Sequence, residues 1–131
     1  MKKYLLIFIT AFTLNVLWEH AHAFLYVHYK GSPITEFILF RAALFDAVAI
    51  TFFALLFLSV PFFRDKIWIL ILWLVVFAIG LEMWALFGER WLYADAMPLV
   101  PILNVGLTPV LQLGITTYLA EKISKRLLFL I

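Results

Sequence analysis

The chain has no cysteine, which removes disulfides, thiolate metal sites and thiol nucleophiles together. Charge is scarce as well: 14% of the 131 residues are Asp, Glu, Lys or Arg, against 66% hydrophobic, too little polar surface for a water-soluble domain. A net charge of +2 gives no reason to expect nucleic acid as a partner. Serine occurs only at Ser32, Ser59 and Ser124, none beside a histidine. No glycine-rich phosphate loop and no G-x-S-x-G elbow is present. Phosphate-loop, serine-hydrolase and thiol chemistry are therefore all unsupported.

What is present is apolar length. The chain reads as one integral membrane domain, residues 1–131, whose main partner is the lipid bilayer. The opening resembles a secretory signal, with Lys2 and Lys3, an apolar run, and Ala21-His22-Ala23 as a small-x-small site. The apolar run nevertheless continues to Tyr29, and Glu19-His20 fits poorly before a cleavage point, so this segment reads as a span. Gly31-Ser32-Pro33 ends it. Further runs follow to Pro61, from Ile67 to Phe87, and around Pro109. The expected spans are about 4–29, 36–62, 67–87 and 100–120. The fold class is an all-α transmembrane four-helix bundle with an irregular or re-entrant segment before the last helix. That segment is expected because Pro98, Pro101 and Gly106 interrupt an apolar stretch, with Thr108 and Pro109 placed as N-cap and first helical residue.

With four spans, Lys2, Lys3, Arg64, Lys66, Lys122, Lys125 and Arg126 fall on one side, and only Lys30 and Arg90 lie in the loops of the other. The positive side faces the cytoplasm. The expectation is a multi-pass protein of the cell membrane with both termini cytoplasmic. Glu19 and Glu82 then lie roughly 22 Å along a hydrocarbon layer of about 30 Å. The charged residues within the spans gather in its outer half, and the cytoplasmic half reads as almost purely apolar.

Ionisable groups at membrane depth are expensive and mark function. On a continuous helix Asn15, Trp18, Glu19, His22, Tyr26 and Tyr29 share one stripe. Glu19 and Glu82 are the expected catalytic acid and base, with Asp46 orienting or balancing charge. Asn15, Trp18, His22, Tyr26, Arg41, Asn104 and Gln112 are the expected substrate contacts. In the structural alternative, Glu19 or Glu82 pairs with Arg41 or Arg90, or bonds Asn15 or Gln112, as interhelical glue. Glu19, His22 and a carboxylate from another helix would make three metal ligands. No compact ligand motif supports this, and neither a metal nor any cofactor is assigned.

At Asn15, Trp18-Glu19, Leu25-Tyr26, Asp46, Glu82, Arg90-Trp91, Tyr93, Met97-Pro98, Gly106-Leu107, Pro109 and Gln112 the chain resembles a family of small bacterial integral membrane proteins without an established activity. His22 and Phe45 depart from that family's usual Gln and Gly, which counts against a metal role for His22. A looser, fold-level similarity is to the sterol isomerase superfamily, small bundles with intramembrane acids and Trp around an apolar pocket.

Three functions follow as expectations. The first is an acid-base enzyme acting on a lipid or isoprenoid-like small molecule. The second is a small transporter or ion-coupled carrier, which four spans would build only as a homodimer. The third is a non-catalytic assembly subunit bound to a membrane partner.

Overall fold

The computed structural model describes all 131 residues. Helix α1 spans Lys2–His22 and runs through a 3-10 turn, Ala23–Leu25, into strand β1, Tyr26–Tyr29. Helix α2 spans Glu36–Leu58, α3 Ile67–Phe87, β2 Trp91–Tyr93 and α4 Leu107–Leu130. The N-cap of α2 is Thr35, whose hydroxyl accepts from the Ile38 amide at 3.3 Å. Three helices, α1 with its 3-10 extension, α2 and α3, are long and apolar enough to cross a membrane.

Two expectations are corrected here. The fold is not purely helical, because β1 and β2 pair antiparallel, with Tyr26 opposite Tyr93 and Tyr29 opposite Trp91. The first helix consequently ends at His22 instead of continuing to Tyr29. Tyr-Val-His-Tyr is an aromatic and β-branched run that suits a pleated backbone, and pairing with Trp91–Tyr93 draws it out of the helix. It is closed by a turn in which Lys30 and Gly31 take positive φ, +50° and +78°. The other helix ends differ too: α2 stops at Leu58, and α4 runs from Leu107 to Leu130, later than the span placed at 100–120. The segment before α4 is irregular, as expected, with Met97, Val105 and Gly106 buried and the tip, Pro101 to Asn104, exposed.

Helix α1 packs along α2 and α4, and α3 packs along α4, whereas α2 and α3 meet only briefly. Small residues, Ala11, Ala47, Ala54, Ala78 and Ala120, alternate in the core with Ile7, Ile50, Leu70 and Leu74. Small side chains let helix backbones approach closely, which is how packing energy is gained where lipid supplies no hydrophobic drive. The outer surface is apolar in turn, with Leu5, Phe37, Phe52, Trp68 and Leu72 exposed. Between α2 and α3, Phe53 meets the edges of Trp73 and Phe77, at centroid distances of 5.7 and 5.4 Å, and Phe57 stacks on Trp73. These aromatics join the two helices near the 59–66 turn. Towards the end that carries the sheet, the space between α2 and α3 is a cavity.

Helices α3 and α4 pack tightly at Gly114, where an added Cβ would lie 3.0 Å from Val75 Cγ2 and 3.5 Å from Ile71 Cγ2. Replacing Gly114 by Leu should force the pair apart and cost about 1–3 kcal/mol, the usual range for overpacking. Thermal unfolding in detergent reads this, and an unchanged midpoint would show that the contact does not hold the helices in register.

Candidate functional site

The site begins on α1, where Asn15, Glu19 and His22 recur at helical spacing on the inward face. Asn15 is completely buried and donates to the Ala11 carbonyl at 2.7 Å. Its side-chain oxygen accepts from Gln112 Nε2 of α4 at 2.9 Å. The same nitrogen lies 2.9 Å from Glu19 Oε1 and 2.9 Å from Asp46 Oδ2 of α2. One amide therefore ties three helices. It carries two hydrogens and faces three acceptors, so the two carboxyls compete for one donor unless a proton lies between them.

Glu19 Oε2 is taken by His22 Nε2 at 3.2 Å, and His22 Nδ1 lies 3.0 Å from Thr108 Oγ1. Both nitrogens of the imidazole are engaged, so His22 stands behind Glu19 as its orienting partner.

Glu82 approaches from α3. Its Oε2 accepts from Trp91 Nε1 at 2.8 Å and from the Tyr93 hydroxyl at 2.7 Å. Trp91 and Tyr93 point the same way because alternate strand residues share a face. The Tyr93 oxygen in turn accepts from the Gly106 amide at 2.9 Å. Tyr26 packs edge-on against His22, Trp91 and Tyr93, closing an aromatic roof. Burial, and then the Glu82 charge, push the Tyr26 and Tyr93 hydroxyls above the ordinary tyrosine range.

Glu19, Asp46, Glu82, Tyr26, Arg41 and Gln112 line one cavity of about 370 Å³, in the size range of small-molecule sites. Most of its wall is apolar, including Ile38, Leu39, Phe45, Leu81 and Leu113. Asp46 Oδ1 and Glu82 Oε1 receive no hydrogen bond from an N–H or hydroxyl donor of the protein, Asp46 having Glu19 as its other side-chain partner, and both residues line the cavity. Neither Arg41 nor Arg90 pairs with an acid, since the ion pairs are His20–Glu36, His22–Glu19 and Lys125–Glu121. The arrangement brings three carboxyls into a largely apolar enclosure in which the only ion pair any of them makes is that of Glu19 with the His22 imidazole, a setting suited to holding and moving a proton.

The placement of the expected contacts is mixed. Asn15 supports the cluster from below without lining the cavity. Trp18 also lies outside the lining, edge-on to His22, with its indole N–H buried and unpartnered. Asn104 is not brought to the site: it is exposed, at φ +56°, in the loop before α4, so the polar stripe of α4 cannot extend back to it. Trp91 and Tyr93, which the sequence places only among the residues of the family resemblance and not among the expected contacts, are direct partners of Glu82. Their alternation in Trp91-Leu92-Tyr93 was the available signal. Glu121 was missed entirely, because its place beside Lys122, Lys125 and Arg126 reads as a solvated tail. It is buried in α4, with Ser124.

No protein-family model, no curated protein and no solved structure matches the chain.

The tyrosines give a test with a definite sign. Because folding raises their pKa above the ordinary 10.0, they stabilise the fold fully below about pH 10, and that contribution is lost as pH climbs through the folded value. Alkaline difference absorbance should show two of the five tyrosines ionising only with unfolding. Five tyrosines titrating together near pH 10 would contradict the geometry.

Proposed function

We propose that the chain is a four-span membrane enzyme that transfers protons to and from a lipid or isoprenoid-like substrate. The observation that carries this is that Asp46 and Glu82 line one largely apolar cavity with no arginine or lysine paired to either. The interhelical-glue alternative is met at Glu19, which bonds Gln112 at 2.9 Å, but not at Glu82, which pairs with neither Arg41 nor Arg90 and bonds neither Asn15 nor Gln112.

The roles divide by environment. Glu82 is held by two donors, Trp91 and Tyr93, on one oxygen, which suits a fixed carboxylate whose other oxygen abstracts a proton. Glu19 and Asp46 share one amide and between them hold a proton, with Asp46 delivering it through its second oxygen to the cavity it lines. His22 balances the pair from behind. Substrate would lie between the two oxygens, so that loss of a proton at one carbon and gain at another moves a double bond without net charge change. Placing α4 as a fourth span puts both termini on the cytoplasmic side, from the Lys and Arg distribution, and the site in the outer half of the bilayer.

One observation favours the carrier as a second reading. Beyond the cavity α4 is not apolar inside: Thr116 and Thr117 near its middle and Glu121 and Ser124 in its C-terminal half are all buried, and Glu121 Oε2 and Ser124 Oγ have no partner. A proton path along α4 would use these groups.

Deuterium incorporation decides between them. Detergent-solubilised protein incubated with a bacterial lipid extract in D2O should transfer deuterium to carbon of one lipid class. Glu82→Gln and Asp46→Asn should each lower that rate by about 10²–10⁴, the usual worth of a positioned acid or base, with helical circular dichroism unchanged. A proton flux in vesicles abolished by Glu121→Gln, without exchange into any lipid, would replace the enzyme by the carrier. Reporter fusions at each end check the orientation, and an external C-terminus would remove the outer-leaflet placement.

A further inference from the structure

The cavity is bipolar in a way the acid-base reading does not use. Its floor holds the carboxyls of Glu19, Asp46 and Glu82, while Arg41 lines it one and a half turns nearer the sheet end of α2. Five residues of helix separate Arg41 from Asp46, about 7–8 Å along the axis. The guanidinium gives a single hydrogen bond within the protein, from Nη2 to the Tyr29 hydroxyl at 2.6 Å, and stands over the Tyr29 ring at 5.2 Å. Its remaining donors are unspent. No carboxylate neutralises it: Glu36, a turn away, is taken by His20 at 2.5 Å. Two more cations without acidic partners rest on aromatic rings beside this mouth. Lys30 lies over Tyr29, and Arg90 lies 3.6 Å from the centre of Trp84, itself a lining residue.

The wall between α2 and α3 is incomplete at the same level. Phe45 and Trp84 line the cavity and are also 48% and 54% exposed on the outside of the bundle. One side of the cavity is therefore the bundle surface. Lower down, the aromatic contacts of Phe53, Phe57, Trp73 and Phe77 close the gap. The opening faces the flank of two apolar helices, where an aliphatic chain and not water is the neighbour.

Resting on the reading of this cavity as a substrate site, we propose that its occupant is a single-chain amphiphile with an anionic head. The head sits on Arg41, the first carbons of the chain lie beside Asp46 and Glu82, and the tail leaves between α2 and α3 into the bilayer. A guanidinium with free donors is the group suited to a phosphate or carboxylate. A cationic head would meet Arg41, Lys30 and Arg90 at the mouth before reaching any acid.

The test is binding by the full-length protein in maltoside detergent, measured by native mass spectrometry with hexadecyl phosphate, hexadecyltrimethylammonium and inorganic phosphate. Hexadecyl phosphate should bind at least about tenfold tighter than the ammonium compound, with inorganic phosphate giving no measurable complex. Arg41→Gln, a change at an exposed position, should remove that preference, and Arg41→Lys should keep part of it. Ala42→Trp, which fills the cavity beside the opening, should weaken the phosphate amphiphile while Asp46→Asn leaves it bound. Equal binding of the two amphiphiles, inorganic phosphate competing on its own, or an Arg41→Gln variant indistinguishable from the parent would each overturn the proposal. Binding without deuterium exchange would uphold this occupant and sink the enzyme, so the two readings fail separately.

Discussion

The amide of Gln112 is the contact on which the inner structure depends. Its nitrogen reaches Asn15 and Glu19 on α1 and Asp46 on α2 from a position on α4, so three helices are held in rotation as well as in depth by one group. Interhelical polar contacts in membranes are individually modest, about 0.6 to 2 kcal/mol. Their geometric demand is not modest, since each acceptor left without its donor in hydrocarbon is penalised by several kcal/mol. The acids are thereby fixed in the orientation that the cavity requires, and the cluster specifies register more than it supplies stability.

The second acid centre is tied to the first through the chain itself. Glu82 holds Tyr93, Tyr93 holds the Gly106 amide, and Gly106 is the residue from which α4 starts. Gly106 is also confined on three sides: a Cβ there would come within 3.1 Å of Tyr93, Met97 and Pro109. Gln112 lies six residues further along the same helix. A shift of the sheet relative to α3 would therefore be felt at Glu19 and Asp46 through the first turns of α4. The small β-pair, which looks peripheral, is the element that keeps two carboxyl centres at a fixed separation across the cavity.

The helical scaffold was legible because apolar runs and their breaks are strong signals: the third helix, Ile67–Phe87, has the bounds its sequence suggests. So was the convergence of Glu19, Asp46, Glu82 and Gln112, each a polar residue that lipid would not tolerate on an outer face. What sequence reading lost was lost to pairing between distant segments. Tyr26 to Tyr29 continue the helical stripe of α1 acceptably, and only the presence of Trp91 to Tyr93 across the bundle makes them a strand. The side chains of Tyr26 and Tyr29 still reach the cavity, by a different backbone. Asn104 failed for the converse reason: it joins the stripe of Thr108 and Gln112 only if helical geometry runs back through Gly106, and it lies instead in a loop with positive φ at Ile102 and Asn104.

Helix α4 shows why mean hydropathy underdescribes a bundle. Its polar residues, Gln112, Thr116, Thr117, Glu121 and Ser124, are buried, while Leu111, Ile115, Leu119 and Ile123 are exposed, the reverse of the pattern in a water-soluble helix. It packs on both α1 and α3, so each inward position needs a partner on a neighbour or within its own backbone. Thr116 and Thr117 satisfy theirs by donating to the Gln112 and Leu113 carbonyls one turn back. Gln112 finds its partners on α1 and α2, and Glu121 Oε1 finds one at Lys125, 2.6 Å away, while Glu121 Oε2 and Ser124 Oγ are left without one. The place of α4 in the bundle is set by the polar groups of the helices it packs on, which is why the most polar helix carries the residue that aligns the other elements.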